Sequence, residues 1–129
     1  MSPDKLVKRI GELIFEKKGE DVTVIELSTV TTMTDYFVIC TASSDTQVRA
    51  IADHVEKELR DEGVKVWHKE GYKAVTWILL DYIHVVVHIF LNEHRAFYNL
   101  EKLWGDAPQK QLVDKPKKPR AKAKAKIKE

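Results

Sequence analysis

At 129 residues with 43% hydrophobic content, the chain is sized for one globular domain with a single core. Its net charge of +2 conceals a division: residues 115–129 hold eight Lys or Arg against one acid, leaving 14 bases and 19 acids, a balance of −5, for residues 1–114. One cysteine, Cys40, excludes an internal disulfide framework, no run approaches the roughly 18 apolar residues of a membrane span, and the N-terminus lacks a signal peptide's apolar core. A soluble cytoplasmic protein is expected. Its acidic body is a poor direct binder of nucleic acid but a fair partner for a basic protein.

Ser2-Pro3-Asp4 reads as a helix start, with a capping hydroxyl, proline at the first helical position and an acid in the first turn. Leu6, Ile10, Leu13 and Ile14 form the stripe of that helix, and Gly19 is expected to end it. Residues 22–27 read as a strand, 28–34 as a threonine-rich connection and 36–41 as a second strand. Ser44 with Gln47 three residues on fits a capping box for a second helix. Val48, Ile51, Val55 and Leu59 continue one apolar face to Gly63. Residues 64–68 read as a third strand, and a strand–helix–strand crossover of that length favours parallel pairing. Gly71 lies in the turn that follows.

Two apolar runs, 75–82 and 85–91, are separated only by Ile83 and His84 and read as a hairpin. Pairing Tyr82 with Val85 places Leu80/Val87 and Ile78/Ile89 on one wholly apolar face. The other face carries Asp81/Val86, Leu79/His88 and Trp77/Phe90. Charges rarely lie buried without partners, so this second face is expected to be at least partly wet. On that reading Trp77, Leu79, Asp81, His88 and Phe90 form a docking surface. The plain alternative is that a helix covers them and both sheet faces are core. A homodimer contact through the same sheet is a third reading. Phe97, Leu100 and Trp104 then recur at helical spacing, and Gly105 and Pro108 close that last helix. The order αβ, βαβ, ββα predicts an α/β fold: a single domain with a mixed five-stranded sheet and helices on at least one face. That domain is assigned to residues 1–112, with 113–129 a basic tail expected to be disordered.

WILLDY at 77–82, VVVHIF at 85–90, Glu93, Arg95 and FYNLEKLWGDA at 97–107 closely resemble the ribosomal silencing factor, or Iojap-related, family. TDYFVICTASSDTQVRAIAD at 34–53 and the Gly71 turn extend the match. The resemblance implies a small domain related in fold to nucleotidyltransferases but not catalytic. It implies binding to the large ribosomal subunit through ribosomal protein L-fourteen, a block on subunit joining, and lower translation when nutrients are scarce. It also brings Tyr98 and Asp106 forward as partner contacts, with some of Glu93, Arg95, Glu101 and Lys102. One departure concerns the hairpin turn, where the family usually has a Gly-Asp type of pair and this chain has Ile83-His84. β-Branched isoleucine resists the positive φ such turns use, which questions the turn type and register.

Other chemistries find little support. Nucleotidyl transfer needs paired carboxylates to hold magnesium and a glycine-bearing phosphate loop. Two residues either side of Asp81 stand Leu79 and Ile83, and the loop before the second helix is Ala42-Ser43-Ser44. Neither part of that machinery is present, so no catalytic residue and no cofactor is expected, with a degenerate nucleotide-binding protein as the rival reading. Asp45 and Asp81 are read as capping, solvated or interfacial. The five histidines show no metal-ligand spacing, since His84 and His88 lie about 13 Å apart along a strand. Cys40 reads as a small core residue. Glu101, six after Arg95 on one helix, is too far for a same-face ion pair. The tail's cations suit either salt-sensitive contact with ribosomal RNA or a solubilising role.

Overall fold

The computed structural model describes residues 1–114; residues 115–129, and with them the expectation of a disordered tail, lie outside the described residues. Helix α1 (Pro3–Glu16) starts where Ser2 accepts the Lys5 N–H at 3.4 Å, and it buries Leu6, Val7, Ile10, Leu13 and Ile14. Lys18, not Gly19, takes the left-handed conformation at its end (φ 66°). The N–H groups of Lys18 and Gly19 bond back to the carbonyls of Phe15 and Ile14, which satisfies the last turn. Strand β1 (Glu20–Glu26) pairs antiparallel with β2 (Tyr36–Ala42).

Helix α2 (Asp45–Asp61) begins with the Ser44 hydroxyl accepting the Gln47 N–H at 3.1 Å. The Gln47 carboxamide does more than close a capping box. Its oxygen accepts the Ser43 N–H at 2.7 Å, and its NH2 donates to the Lys17 and Lys18 carbonyls at 3.1 and 2.9 Å. One side chain thus ties the start of α2 to the end of α1. Beyond α2 come β3 (His68–Glu70), β4 (Trp77–Asp81), β5 (Val85–Leu91), α3 (Asn92–Tyr98), α4 (Leu100–Leu103) and β6 (Gln109–Gln111).

The sheet has six strands among the described residues, in the order β3-β4-β5-β2-β1-β6, one more than expected. The addition, β6, pairs Lys110 with Val24 through main-chain bonds, all three of its side chains being exposed, and the Gln109 carboxamide donates to the Glu101 carbonyl at 2.7 Å. The third strand also falls later than expected. Val64 is consumed in ending α2, its N–H bonding to the Leu59 carbonyl, and β3 starts only at His68. The parallel neighbour of β2 is β5, not β3. Six of the seven β5 residues are buried, whereas β3 is exposed throughout, so the apolar strand takes the centre and the polar one the edge. The hairpin register is as predicted, with Trp77 opposite Phe90, Ile78 opposite Ile89 and Leu80 opposite Val87.

Helices α1 and α2 cover one sheet face. Ile10, Leu13, Ile14, Ile51, Val55 and Leu59 pack there against Val38, Cys40, Ile78, Leu80, Val87 and Ile89, all fully buried. At about 1.5–3 kcal/mol for each such side chain, this layer dominates the stability of the fold. The opposite face is smaller: Ile25, Leu27, Ile39 and Phe90 lie under Leu100 and Ala107, with Phe37, Trp77 and Trp104 packed at their margin.

Candidate functional site

The second face of the β4–β5 hairpin is where the docking surface was expected, and it is only half open. Leu91 caps α3 directly, so the chain turns back over the sheet without a linker. The Tyr98 ring on α3 comes to rest 4.6 Å from the Trp77 ring and 6.0 Å from that of Phe90, while Trp77 stacks on Phe90 at 4.9 Å. Phe90 is consequently 0% exposed and His88 3% exposed. The face is partly wet, as expected, but the expectation that Phe90 and His88 themselves belong to the docking surface is corrected: both lie beneath it and do not meet solvent. Trp77, Leu79 and Asp81 remain half-buried on β4, and Tyr98 is 44% exposed above them. These four reach the surface together. Asp106 is exposed beyond α4, two residues after Trp104.

The helical lid is not one helix. Asn99 adopts the left-handed conformation (φ 47°), ends α3, and caps α4 by accepting the Lys102 N–H at 3.3 Å. That break returns Glu101 to Arg95, with Arg95 Nη2 to Glu101 Oε2 at 2.8 Å, which corrects the expectation that six residues along a helix would hold them apart. Arg95 also donates to Thr41 Oγ1 at 2.9 Å, to Thr23 Oγ1 at 2.8 Å, and to the Asp21 carbonyl. Its guanidinium therefore joins α3 and α4 to β1 and β2. Arg95 and Glu101 thus anchor the lid that carries Tyr98.

Beneath the lid, His88 accepts the indole N–H of Trp77 at its Nδ1, 3.1 Å away. The Phe37 ring lies 4.4 Å from the imidazole in an edge arrangement, and Trp104 packs 6.1 Å from Phe37. Burial pushes His88 down from the ordinary imidazole range to about 3, so it is neutral. A donor-only indole N–H requires a lone pair on Nδ1, which puts the histidine proton on Nε2. Phe37 belongs to this cluster although its own stretch of sequence marks it only as part of a strand. The alternation of β2, once set beside β5, is the signal that would have found it.

The acidic candidates are engaged locally. Asp81 accepts the Ile83 N–H at 2.7 Å within the hairpin turn, and Asp45 accepts the Thr46 N–H at 2.7 Å at the start of α2. Three histidines pair singly with carboxylates: His54 with Glu16, His68 with Glu70 and His84 with Asp35. Among the described residues, no three His, Cys, Asp or Glu converge in a way that could hold a metal ion. Nor, among those residues, is any helix long and apolar enough to cross a membrane.

The family described as ribosomal silencing factor during starvation matches residues 1–129. The chain belongs to the ribosomal silencing factor family. It is 39% identical over 112 residues to the ribosomal silencing factor of Halalkalibacterium halodurans, covering 87% of this chain and 96% of that one. It is 38% identical over 108 residues to that of Bacillus subtilis, covering 84% and 92%. Chloroplastic protein Iojap of Zea mays is 41% identical over 95 residues, which is 71% of this chain and 40% of that larger protein. A crystal structure of a Chromobacterium violaceum protein matches the fold with a TM-score of 0.79 at 30% identity, covering 94% of this chain and all of that one.

Proposed function

We propose that this protein is a non-enzymatic translational repressor. It docks on the large ribosomal subunit through ribosomal protein L-fourteen and occupies volume the small subunit needs, blocking subunit joining when nutrients are limiting. Family membership supports the ribosomal role. The observation that carries the choice of surface is the cluster of Trp77, Leu79, Asp81 and Tyr98 at the surface of one sheet face, with apolar ground beneath it. Aromatic side chains that keep part of their surface exposed over a rigid base are the usual anchors of protein interfaces. The −5 balance of residues 1–114 supports a basic protein as the direct partner, with complementarity acting mainly on encounter rate and orientation. Asp106 is a further proposed contact. Residues 115–129 are proposed to reach ribosomal RNA, and the site of action is the cytoplasm.

Co-sedimentation with isolated large subunits tests the reading. Trp77→Ala should leave the far-ultraviolet spectrum nearly unchanged and weaken binding by about tenfold or more, the loss expected of an interface hot spot. Removing residues 115–129 should flatten the salt dependence without abolishing binding. Full retention of binding by Trp77→Ala would refute the assignment of this face.

A further inference from the structure

The geometry points to a role for His88 that surface contact does not explain. We propose that His88 is a positioning residue, which accepts the Trp77 indole N–H from below and fixes the one orientation of that indole in which it joins Tyr98 as a docking platform. The proposal rests on the docking reading above.

Three contacts hold the Trp77 ring. Two are ring contacts only, Phe90 at 4.9 Å with 26° between planes and Tyr98 at 4.6 Å with 44° between planes, and the third is His88, whose ring lies 5.8 Å away and also takes a hydrogen bond. Stacking restrains the tilt of an indole but discriminates poorly between the ring and its flipped form, because both bury similar apolar area. A hydrogen bond is directional and does discriminate. The Nε1–H to Nδ1 contact at 3.1 Å is satisfied by only one of the two orientations. Trp77 lies opposite Phe90, and Leu79 lies opposite His88, so Trp77 and His88 are diagonal neighbours across the hairpin. Long side chains reach one another at that spacing. The bond therefore draws the indole inward over the hairpin and away from the β3 edge.

Histidine suits the position for a physical reason. The acceptor must sit among Phe37, Phe90 and Trp77, where a carboxylate would be buried without a counter-charge. A neutral imidazole supplies one lone pair on a flat ring that packs against its aromatic neighbours. Its depth, 3% exposed, keeps water from competing for the indole N–H. Fixing Trp77 before the partner arrives removes the cost of ordering it during binding.

The test uses the full chain and isolated large subunits, with His88→Phe (ring kept, acceptor lost), His88→Asn (acceptor kept near the Nδ1 position), Trp77→Ala and the His88→Phe/Trp77→Ala pair. Indole N–H resonances are read in parallel, the Trp77 signal being assigned with Trp77→Phe. In the wild type, the Trp77 indole proton should exchange with water far more slowly than that of exposed Trp67. His88→Phe should abolish that protection, leave the Trp67 and Trp104 signals in place, and weaken subunit binding by about three- to tenfold. His88→Asn should recover part of both effects. In the Trp77→Ala background, His88→Phe should add no further loss of binding. Wild-type affinity in His88→Phe alongside a large loss in Trp77→Ala would overturn the positioning role and leave the docking face standing. An added loss in the double variant, or fast exchange of the wild-type Trp77 indole proton, would overturn it as well. Normal binding by Trp77→Ala would remove both claims together.

Discussion

Arg95 meets Glu101 across a break in the helical path, Nη2 to Oε2 at 2.8 Å and Nε to Oε1 at 3.3 Å, with the arginine side chain only 12% exposed. The same guanidinium bonds to Thr23 and Thr41, so it ties the lid to two strands far away in the chain. Removing it leaves a carboxylate and two hydroxyls without their donor in a partly buried site. Arg95→Ala is expected to cost about 3 kcal/mol in urea unfolding, and Arg95→Lys to recover little, because an ammonium cannot reproduce the planar fork of donors. A loss below about 1 kcal/mol would show that the lid is held chiefly by Leu100 and its apolar neighbours.

The burial of His88 gives the fold a dependence on acidity. Burial holds the folded imidazole at about 3, well below its ordinary value of 6.5. The unfolded chain therefore takes up a proton that the folded chain refuses. This contribution to stability is complete above about pH 6.5 and is lost progressively as pH falls from there toward 3, at about 1.4 kcal/mol per pH unit. Between pH 7.5 and 5 the loss from His88 alone is about 2 kcal/mol. His88→Phe lacks the titrating group, so the difference between the two unfolding curves isolates it from every other ionisable residue. Parallel pH profiles for wild type and His88→Phe would contradict the buried neutral state.

Local chemistry made much of this fold legible in the sequence. The Ser2 and Ser44 caps, the stripes of α1 and α2, and the alternation of β4 against β5 each depend on residues within a few positions of one another. What escaped depends on partners distant in sequence. β6 has no apolar alternation, because it joins the sheet by main-chain pairing to β1 and is tied to α4 by the Gln109 carboxamide, with no buried side chain of its own. The crossover rule gave the right direction for β3, but only the contrast between an apolar β5 and a polar β3 decides which of them lies beside β2. The docking face was the instructive case. Its β4 and β5 members followed from alternation and Tyr98 from the family resemblance, yet its cover depends on the left-handed turn at Asn99 and on Arg95 reaching Thr23, 72 residues earlier. An asparagine among helix formers was a visible cue to that turn, since it tolerates positive φ better than most residues.

Cys40 sits at the centre of the sheet, 0% exposed, between α1 and α2 above and its strand neighbours on either side. Burial pushes its thiol up to about 12, against a smaller opposing pull from Arg95. The nucleophilic thiolate is therefore scarce as well as hidden. A disulfide exchange reagent should react with the native protein only as fast as the core opens, and urea below the unfolding midpoint should accelerate the reaction. Immediate stoichiometric labelling at neutral pH without denaturant would contradict this packing.

The Ile83-His84 turn forms in spite of its sequence. Ile83 takes φ 75°, and the His84 N–H bonds back to the Tyr82 carbonyl at 2.9 Å, closing a tight three-residue turn of a rare, strained kind. Such a conformation costs a β-branched residue on the order of 1–3 kcal/mol. The surroundings hold it in place. Asp81 accepts the Ile83 N–H, the His84 carbonyl accepts the N–H groups of Asp35 and Tyr36, and the Tyr82 N–H bonds to the Val85 carbonyl. The Ile83 side chain contributes little in return, being 52% exposed. Ile83→Gly should therefore relieve more strain than it adds in unfolded-state entropy, raising stability by about 1 kcal/mol. Ile83→Pro, which cannot adopt positive φ and lacks the N–H that Asp81 receives, should destabilise by more than Ile83→Gly stabilises. Because the register of β4 against β5 is also set by apolar pairs such as Ile78/Ile89, Ile83→Gly should leave the Trp77 indole resonance where it is. A shift of that resonance would mean that the turn itself holds the docking face in register.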